Sequence, residues 1–157
     1  MRTWALAITL ILAAGSAHAQ SVEGYGALAL GAIVGGDSPL LSAGQKAVLA
    51  QLFEGEGASV TSAGKIDVAA DAIVCRAGNI DVTAFACDLT IGAEKTHLMG
   101  RSANELFATL AEIGVQEDGA AGTIYRSVYK LHCTVDPNEV SQRSGIGADC
   151  AYALTPS

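Results

Sequence analysis

Four cysteines, Cys75, Cys87, Cys133 and Cys150, are the residues of this 157-residue sequence whose spacing most constrains chemistry. A redox pair calls for C-x-x-C, and a zinc site brings its ligands in C-x2–4-C pairs; neither spacing occurs. An even set without those spacings reads as a disulfide framework, which belongs to an oxidising compartment. Three pairings are possible, and the local one, Cys75–Cys87 with Cys133–Cys150, is favoured. Each pair brackets a turn-rich stretch: Arg76-Ala77-Gly78-Asn79 in the first, and Asp136-Pro137-Asn138 through Ser144-Gly145 in the second. Residues that alternate as strands do flank both. Each bridge closes a loop of about 13 or 18 residues, worth on the order of 3 kcal/mol in the chain-entropy model.

A second candidate for chemistry is Ser38. The run Ala32-Ile33-Val34-Gly35 leads into Gly36-Asp37-Ser38, and this segment resembles the first sequence block of the GDSL (SGNH) hydrolases, whose serine is the nucleophile. The resemblance implies that Ser38 attacks an ester while a histidine takes its proton. It covers seven residues at most. The family's later blocks are not evident: Gly78-Asn79-Ile80-Asp81 is the nearest match to Gly-x-Asn-Asp, and Glu94-Lys95-Thr96-His97 to Asp-x-x-His. The simpler expectation is that Asp37 or Ser38 caps a turn or helix beginning at Pro39. Of the histidines, His97 reads as part of a turn between a strand and a helix, and His132 as a wet-face strand residue. Glu117-Asp118 lacks the Asp/Asn/Gly spacing of a calcium loop. No metal or cofactor is expected.

The elements that must position these residues recur. An offset of 58 residues aligns Ala50 with Ala108, Leu52 with Leu110, Glu54 with Glu112, Ile66 with Ile124 and Cys75 with Cys133. The order of elements recurs too: amphipathic helix, Gly-containing link, strand with Cys, turn, strand with Cys. Ser42/Gln45 and Ser102/Glu105 read as capping boxes that open the two helices. Val48, Leu49, Leu52 and Phe53 form one apolar stripe; Leu106, Leu110 and Ile113, with Phe107 and Ala111 beside them, form the other, and Gly114 offers a stop. Tyr125, Ser127, Tyr129, Leu131, Cys133 and Val135 share one strand parity, as do Phe85, Cys87, Leu89 and Ile91, and later Cys150, Tyr152 and Leu154. Between Ile66, Val68, Ala70 and Ile73, Cys75 the parity changes, so a bulge is expected near Asp71-Ala72.

These signs predict an α+β fold of two tandem helix–β-hairpin (αββ) units, with an antiparallel sheet, helices on one face, and a disulfide clamping each hairpin. Residues 42–99 and 100–157 are the two units of one domain. Residues 20–41 precede them as a Gly/Ala-rich arm or strand, because the five glycines of Gly24–Gly36 disfavour a helix. A partner could then pair with that apolar strand by edge addition in an envelope-structural role.

Composition limits the function. Half the residues are hydrophobic and 16% are charged, which is unlike a disordered chain. The net charge of −7 opposes nucleic-acid binding. Met1–Ala19 reads as a cleaved signal peptide, with Arg2, an apolar run from Trp4 to Ala14 too short to span a bilayer, and an Ala17-His18-Ala19 cleavage site. Its removal leaves eight basic against 16 acidic residues, no tryptophan, and only His97 and His132. No transmembrane segment is expected in the mature chain. The reading is an exported protein, periplasmic in a Gram-negative bacterium or extracellular, that works without catalysis as a binding or inhibitor-like module. Its partner would be a protein or envelope component. The contact surface falls on the longer second loop, with Asn138, Glu139, Gln142 and Arg143. Small exported inhibitors of duplicated helix–sheet build, such as the β-lactamase inhibitor proteins, are similar in plan, a fold analogy without shared motifs.

Overall fold

The computed structural model describes residues 20–55, 64–78, 85–119, 122–143 and 147–156. The expected signal segment Met1–Ala19 lies outside them, as do Asn79 of the first turn and Ser144-Gly145 of the second. The elements run β1 (Gln20–Glu23), α1 (Tyr25–Gly36), α2 (Ala43–Phe53), β2 (Ile66–Gly78), β3 (Phe85–Ile91), β4 (Glu94–Met99), α3 (Arg101–Ile113), β5 (Val115–Asp118), β6 (Thr123–Val135), α4 (Pro137–Arg143) and β7 (Ala148–Ala153). All strand pairings are antiparallel, in the order β1-β7-β6-β2-β3-β4. β5 lies end to end with β7 along one edge of β6. The helices cover one face, so the expected fold class is what forms.

Both disulfides are local. Cys75 and Cys87 face each other across β2–β3, and Cys133 and Cys150 across β6–β7. Each pair is a direct cross-strand neighbour with its Cα atoms 4.0 Å apart. All four cysteines are buried beneath the helices.

The parity change near Asp71-Ala72 is present, and it occurs in β6 too. In β2 the buried positions are Ile66, Val68 and Ala70, then Ile73, Cys75 and Ala77. Their partners Val135, Cys133 and Leu131 are buried as well, followed by Val128 opposite Ile73. The single parity expected from Tyr125 to Val135 is therefore wrong in its first half. Tyr125, Ser127 and Tyr129 lie on the face away from the helices, and Ile124, Arg126 and Val128 lie beneath them. Lys130 absorbs the change with a left-handed backbone (φ 52°), where β6 also bulges against β7.

The sharpest departure is α1. Gly24–Gly36, expected as an arm or partner-binding strand, is a helix with every residue from Ala27 to Gly35 buried. Its glycines permit close approach rather than breaking the helix. A Cβ on Gly31 would stand 3.0 Å from Val135 of the sheet; one on Gly35 would fall 2.5 Å from Leu49 of α2 and 3.3 Å from Val68. Helix α1 is thus sandwiched between sheet and α2, which is why it is apolar all round. Tertiary burial outweighs the roughly 1 kcal/mol per glycine that helix propensity costs. The free strand at 24–36 on which the expected envelope role was built is not what forms.

Helix starts also differ from expectation in part. Ser42 and Gln45 form both bonds of a capping box (3.0 and 3.1 Å). Ser102/Glu105 do not: α3 starts two residues earlier behind Gly100, and Glu105 instead meets Arg101 at 3.1 Å. Gly100 turns straight out of β4, a strand the sequence does not announce. Gly24 turns out of β1 with nearly the same backbone (φ 77°, ψ −144° against φ 72°, ψ −139°).

That similarity extends through the molecule. Val22 opposes Cys150, and Leu98 opposes Cys87. Cys150 Sγ lies 3.6 Å from the Ala27 carbonyl oxygen, and Cys87 Sγ lies 3.6 Å from that of Ala103. Leu30 and Leu106 are both fully buried. Equivalent positions differ by 76 residues through β1–α1 and β4–α3, and by 58 through the central strands. A pseudo-twofold axis therefore passes between β2 and β6, where both strands change parity. Helix α1, not α2, is the geometric counterpart of α3, and α2 is an added layer.

Candidate functional site

The second connection, expected as a loop, is mostly the short helix α4. Pro137 supplies a preset φ and needs no N–H at that position, and the Asp136 carboxylate accepts from the Asn138 amide at 3.1 Å. The Val140 amide donates to the Asp136 carbonyl (3.0 Å) and the Asp136 amide to that of Gly147 (2.7 Å), so both ends of the connection are tied together. Gly147 has φ 134°, and a Cβ there would stand 2.4 Å from that of Glu139. Only glycine fits.

This connection walls an open cleft of about 480 Å³ at the end of the sheet. Glu23 from the end of β1, Asp136, Glu139 of α4 and Asp149 of β7 line it, with Lys65 entering from the start of β2. Four carboxylates against one ammonium make a negative surface, suited to a lysine or arginine side chain. Of the expected contact residues, Glu139 lines this cleft and Asn138 stands exposed beside it. Gln142 and Arg143 end α4, where their side chains lie outside the described set. Glu23, Asp149 and Lys65 were not legible as members of one site. They meet because β1 pairs with β7, a contact from opposite ends of the chain that carries no local signal.

No family model, curated protein or solved structure matches this chain.

Elsewhere the polar chemistry lies on the helix-free face of the sheet. His97, placed in β4 rather than in a turn, meets Asp88 at 2.7 Å, and Arg76 donates to the other oxygen of Asp88 at 3.0 Å. The His97 hydrogen bond lowers the Asp88 pKa, partial burial opposes it, and Arg76 adds to the lowering. His132 approaches Asp67 at 3.3 Å, and Thr134 donates to the same oxygen at 3.2 Å. Ser38 follows α1 on the helix side and is buried, its hydroxyl oxygen accepting from the Leu40 amide at 3.2 Å. This is the turn-capping role expected of it. The sheet separates Ser38 from both His97 and His132, so the structure does not assemble the pair that the GDSL resemblance implies. Among the described residues, no cluster of three or more His, Cys, Asp or Glu could hold a metal ion.

Proposed function

We propose that this protein is an exported, periplasmic binding or inhibitor-like module that grips a cationic group of a partner protein in the cleft lined by Asp136, Glu139 and Gly147. The observation that carries the reading is the combination, at one end of the sheet, of four acidic residues lining one cleft with a connection whose two ends are hydrogen-bonded to each other. Binding residues whose backbone is already held, as at Asp136 and Val140, lose less conformational entropy on association, which favours affinity. The two disulfides fit an oxidising compartment, and no described helix is long and apolar enough to cross a membrane.

The test places a photo-crosslinking residue at Asn138 and, as a control, at Thr90 on the opposite face of the sheet. A discrete crosslinked partner from Asn138 alone, lost in a Glu139→Lys/Asp149→Lys variant, is expected. Equal crosslinking from Thr90, or persistence after charge reversal, would remove the cleft from the binding site. Edman sequencing of the periplasmic fraction should begin at Gln20.

A further inference from the structure

The pseudo-twofold axis makes a prediction about sheet edges, because equivalent stretches of backbone should be equivalently paired. Along β6, the half from Ile124 to Ser127 is hydrogen-bonded to β2 on one side and to β5 on the other. The equivalent half of β2, Ile66 to Ala69, pairs with β6 on one side. On its other side, β3 begins pairing only at Ala72, and no described strand covers Ile66–Asp71. One edge is filled by an extended segment of four residues; along its counterpart no strand lies among the described residues. An unpaired edge presents a row of amides and carbonyls ready to template another strand.

We propose that this free edge of β2, from Ile66 to Asp71, is a second interaction surface, which accepts an extended basic segment of another protein as an added antiparallel strand. Room for it exists. A hollow of about 380 Å³ lies where Ser42 and Val48 of the α2 region face Ile66, and another of about 330 Å³ lies where Leu40 faces Asp71 and Gly92. Leu40 is 74% exposed. Side chains of an added strand alternate between two rows. One row would continue the buried line of Ile66, Val68 and Ala70, and takes small apolar groups. The other would lie beside Asp67 and Asp71 on the helix-free face and takes Lys or Arg, Asp67 already meeting His132 and Thr134 and Asp71 accepting from the Gly92 amide at 2.6 Å.

That charge pattern selects the occupant. A second copy of this chain pairing β2 with β2 in the antiparallel register centred on Ala69 would set Asp67 of each against Asp71 of the other, a like-charge cross-strand pair; the register centred on Val68 meets only Asp71, through Lys65, and leaves Asp67 opposite Ala69. The chain's own residues 56–63, Glu-Gly-Ala-Ser-Val-Thr-Ser-Ala, carry no basic group to meet these aspartates. A partner strand with alternate Lys or Arg meets both requirements, and main-chain bonds supply the rest of the affinity.

The test uses the mature, oxidised protein and two probes: the peptide acetyl-Lys-Val-Lys-Val-Lys-Val-amide, and the same peptide N-methylated at alternate residues to block one hydrogen-bonding edge. Residue-resolved amide exchange and chemical shifts are followed during titration. Saturable binding of the first peptide is expected, with slowed exchange at alternate amides of Ile66–Asp71. The N-methylated form should show at least tenfold weaker binding, and Asp67→Asn should weaken the first peptide about threefold. Because the cleft also suits lysine, the edge is read at its own amides: slowed exchange at Ile66–Asp71 should persist in the Glu139→Lys/Asp149→Lys variant, which separates this edge from the cleft. Four results would each overturn the proposal: that slowed exchange lost in that variant, equal binding of the two peptides, shifts confined to other segments, or self-association through β2. Slow exchange of every Ile66–Asp71 amide before peptide is added would also do so, because the edge would then already be filled.

Discussion

The two halves of the molecule share a frame and differ in what has been laid over it. In each, an edge strand turns through a left-handed glycine into a helix, and that helix lies on a disulfide-clamped hairpin. Over the first hairpin lies α3, amphipathic, with Ala103, Leu106 and Leu110 buried and its far side in solvent. Over the second lies α1, buried all round beneath α2. Beneath α3 the sheet contributes Arg126, stacked 4.5 Å from the Phe107 ring and donating to Gln116 at 3.2 Å. The symmetry-related position is Val68, fully buried against α1. The difference teaches that one backbone plan can be closed either by a wet helix or by a second layer, and that glycine and valine mark the layered half.

Removing the shared clamps should have the largest effect. Replacing Cys75 and Cys87 together by Ala, or Cys133 and Cys150 together, should each cost about 3 kcal/mol in chemical denaturation. The closed loops differ by only five residues, so the two losses should agree within about 0.5 kcal/mol. A loss twice as large in one half would break the equivalence of the hairpins.

Next comes the helix comparison. Gly35 of α1 and Ala111 of α3 are equivalent, yet a Cβ on Gly35 would meet Leu49, Leu41 and Val68 while Ala111 is exposed. Gly35→Val should lower stability by about 2–3 kcal/mol through overpacking, and Ala111→Val by less than about 0.7 kcal/mol through propensity alone. Similar losses at both sites would show that α2 does not cover α1.

Gly147→Ala probes the α4 connection of the second half. With positive φ and the Glu139 Cβ in the way, it should cost about 2 kcal/mol and loosen the cleft wall, read as a fall in melting temperature with faster exchange in α4.

The smallest effect concerns Asp88, whose equivalent in the other hairpin is Ala151. Its folded pKa is lowered, first by His97 and then by Arg76, against the opposing effect of burial. The stabilisation is therefore present above the unfolded value of about 3.9 and lost as pH falls through the folded value. Stability curves of the wild type should drop more steeply below about pH 4 than those of Asp88→Asn. Parallel curves would show that the pair contributes nothing.

What the sequence disclosed follows from the range of its signals. The disulfide pairing, the Ser42 cap, the apolar faces of α2 and α3 and the parity change at Asp71-Ala72 are local, and each was legible. The α1 helix was not, because glycine there answers to Leu49 and Val135, which lie far along the chain. β1, β4 and β5 are four to six residues long and partly exposed, too short for periodicity to speak. The helix equivalence was obscured because α2 copies the spacing of α3 without copying its place. As for the site, Glu139 and Asn138 were accessible through turn chemistry, whereas Glu23, Asp149 and Lys65 joined it only through sheet pairing.

Residue-resolved amide hydrogen exchange on the unbound, oxidised mature chain tests the symmetry and its exception at the β2 edge most directly. A strand with neighbours on both sides has every amide protected, and a strand with one neighbour has only alternate ones. Slow exchange is expected at all amides from Ile124 to Ser127, beside β5, and at alternate amides only from Ile66 to Ala69. Matching protection in the two stretches would contradict the asymmetry on which the second interaction surface rests.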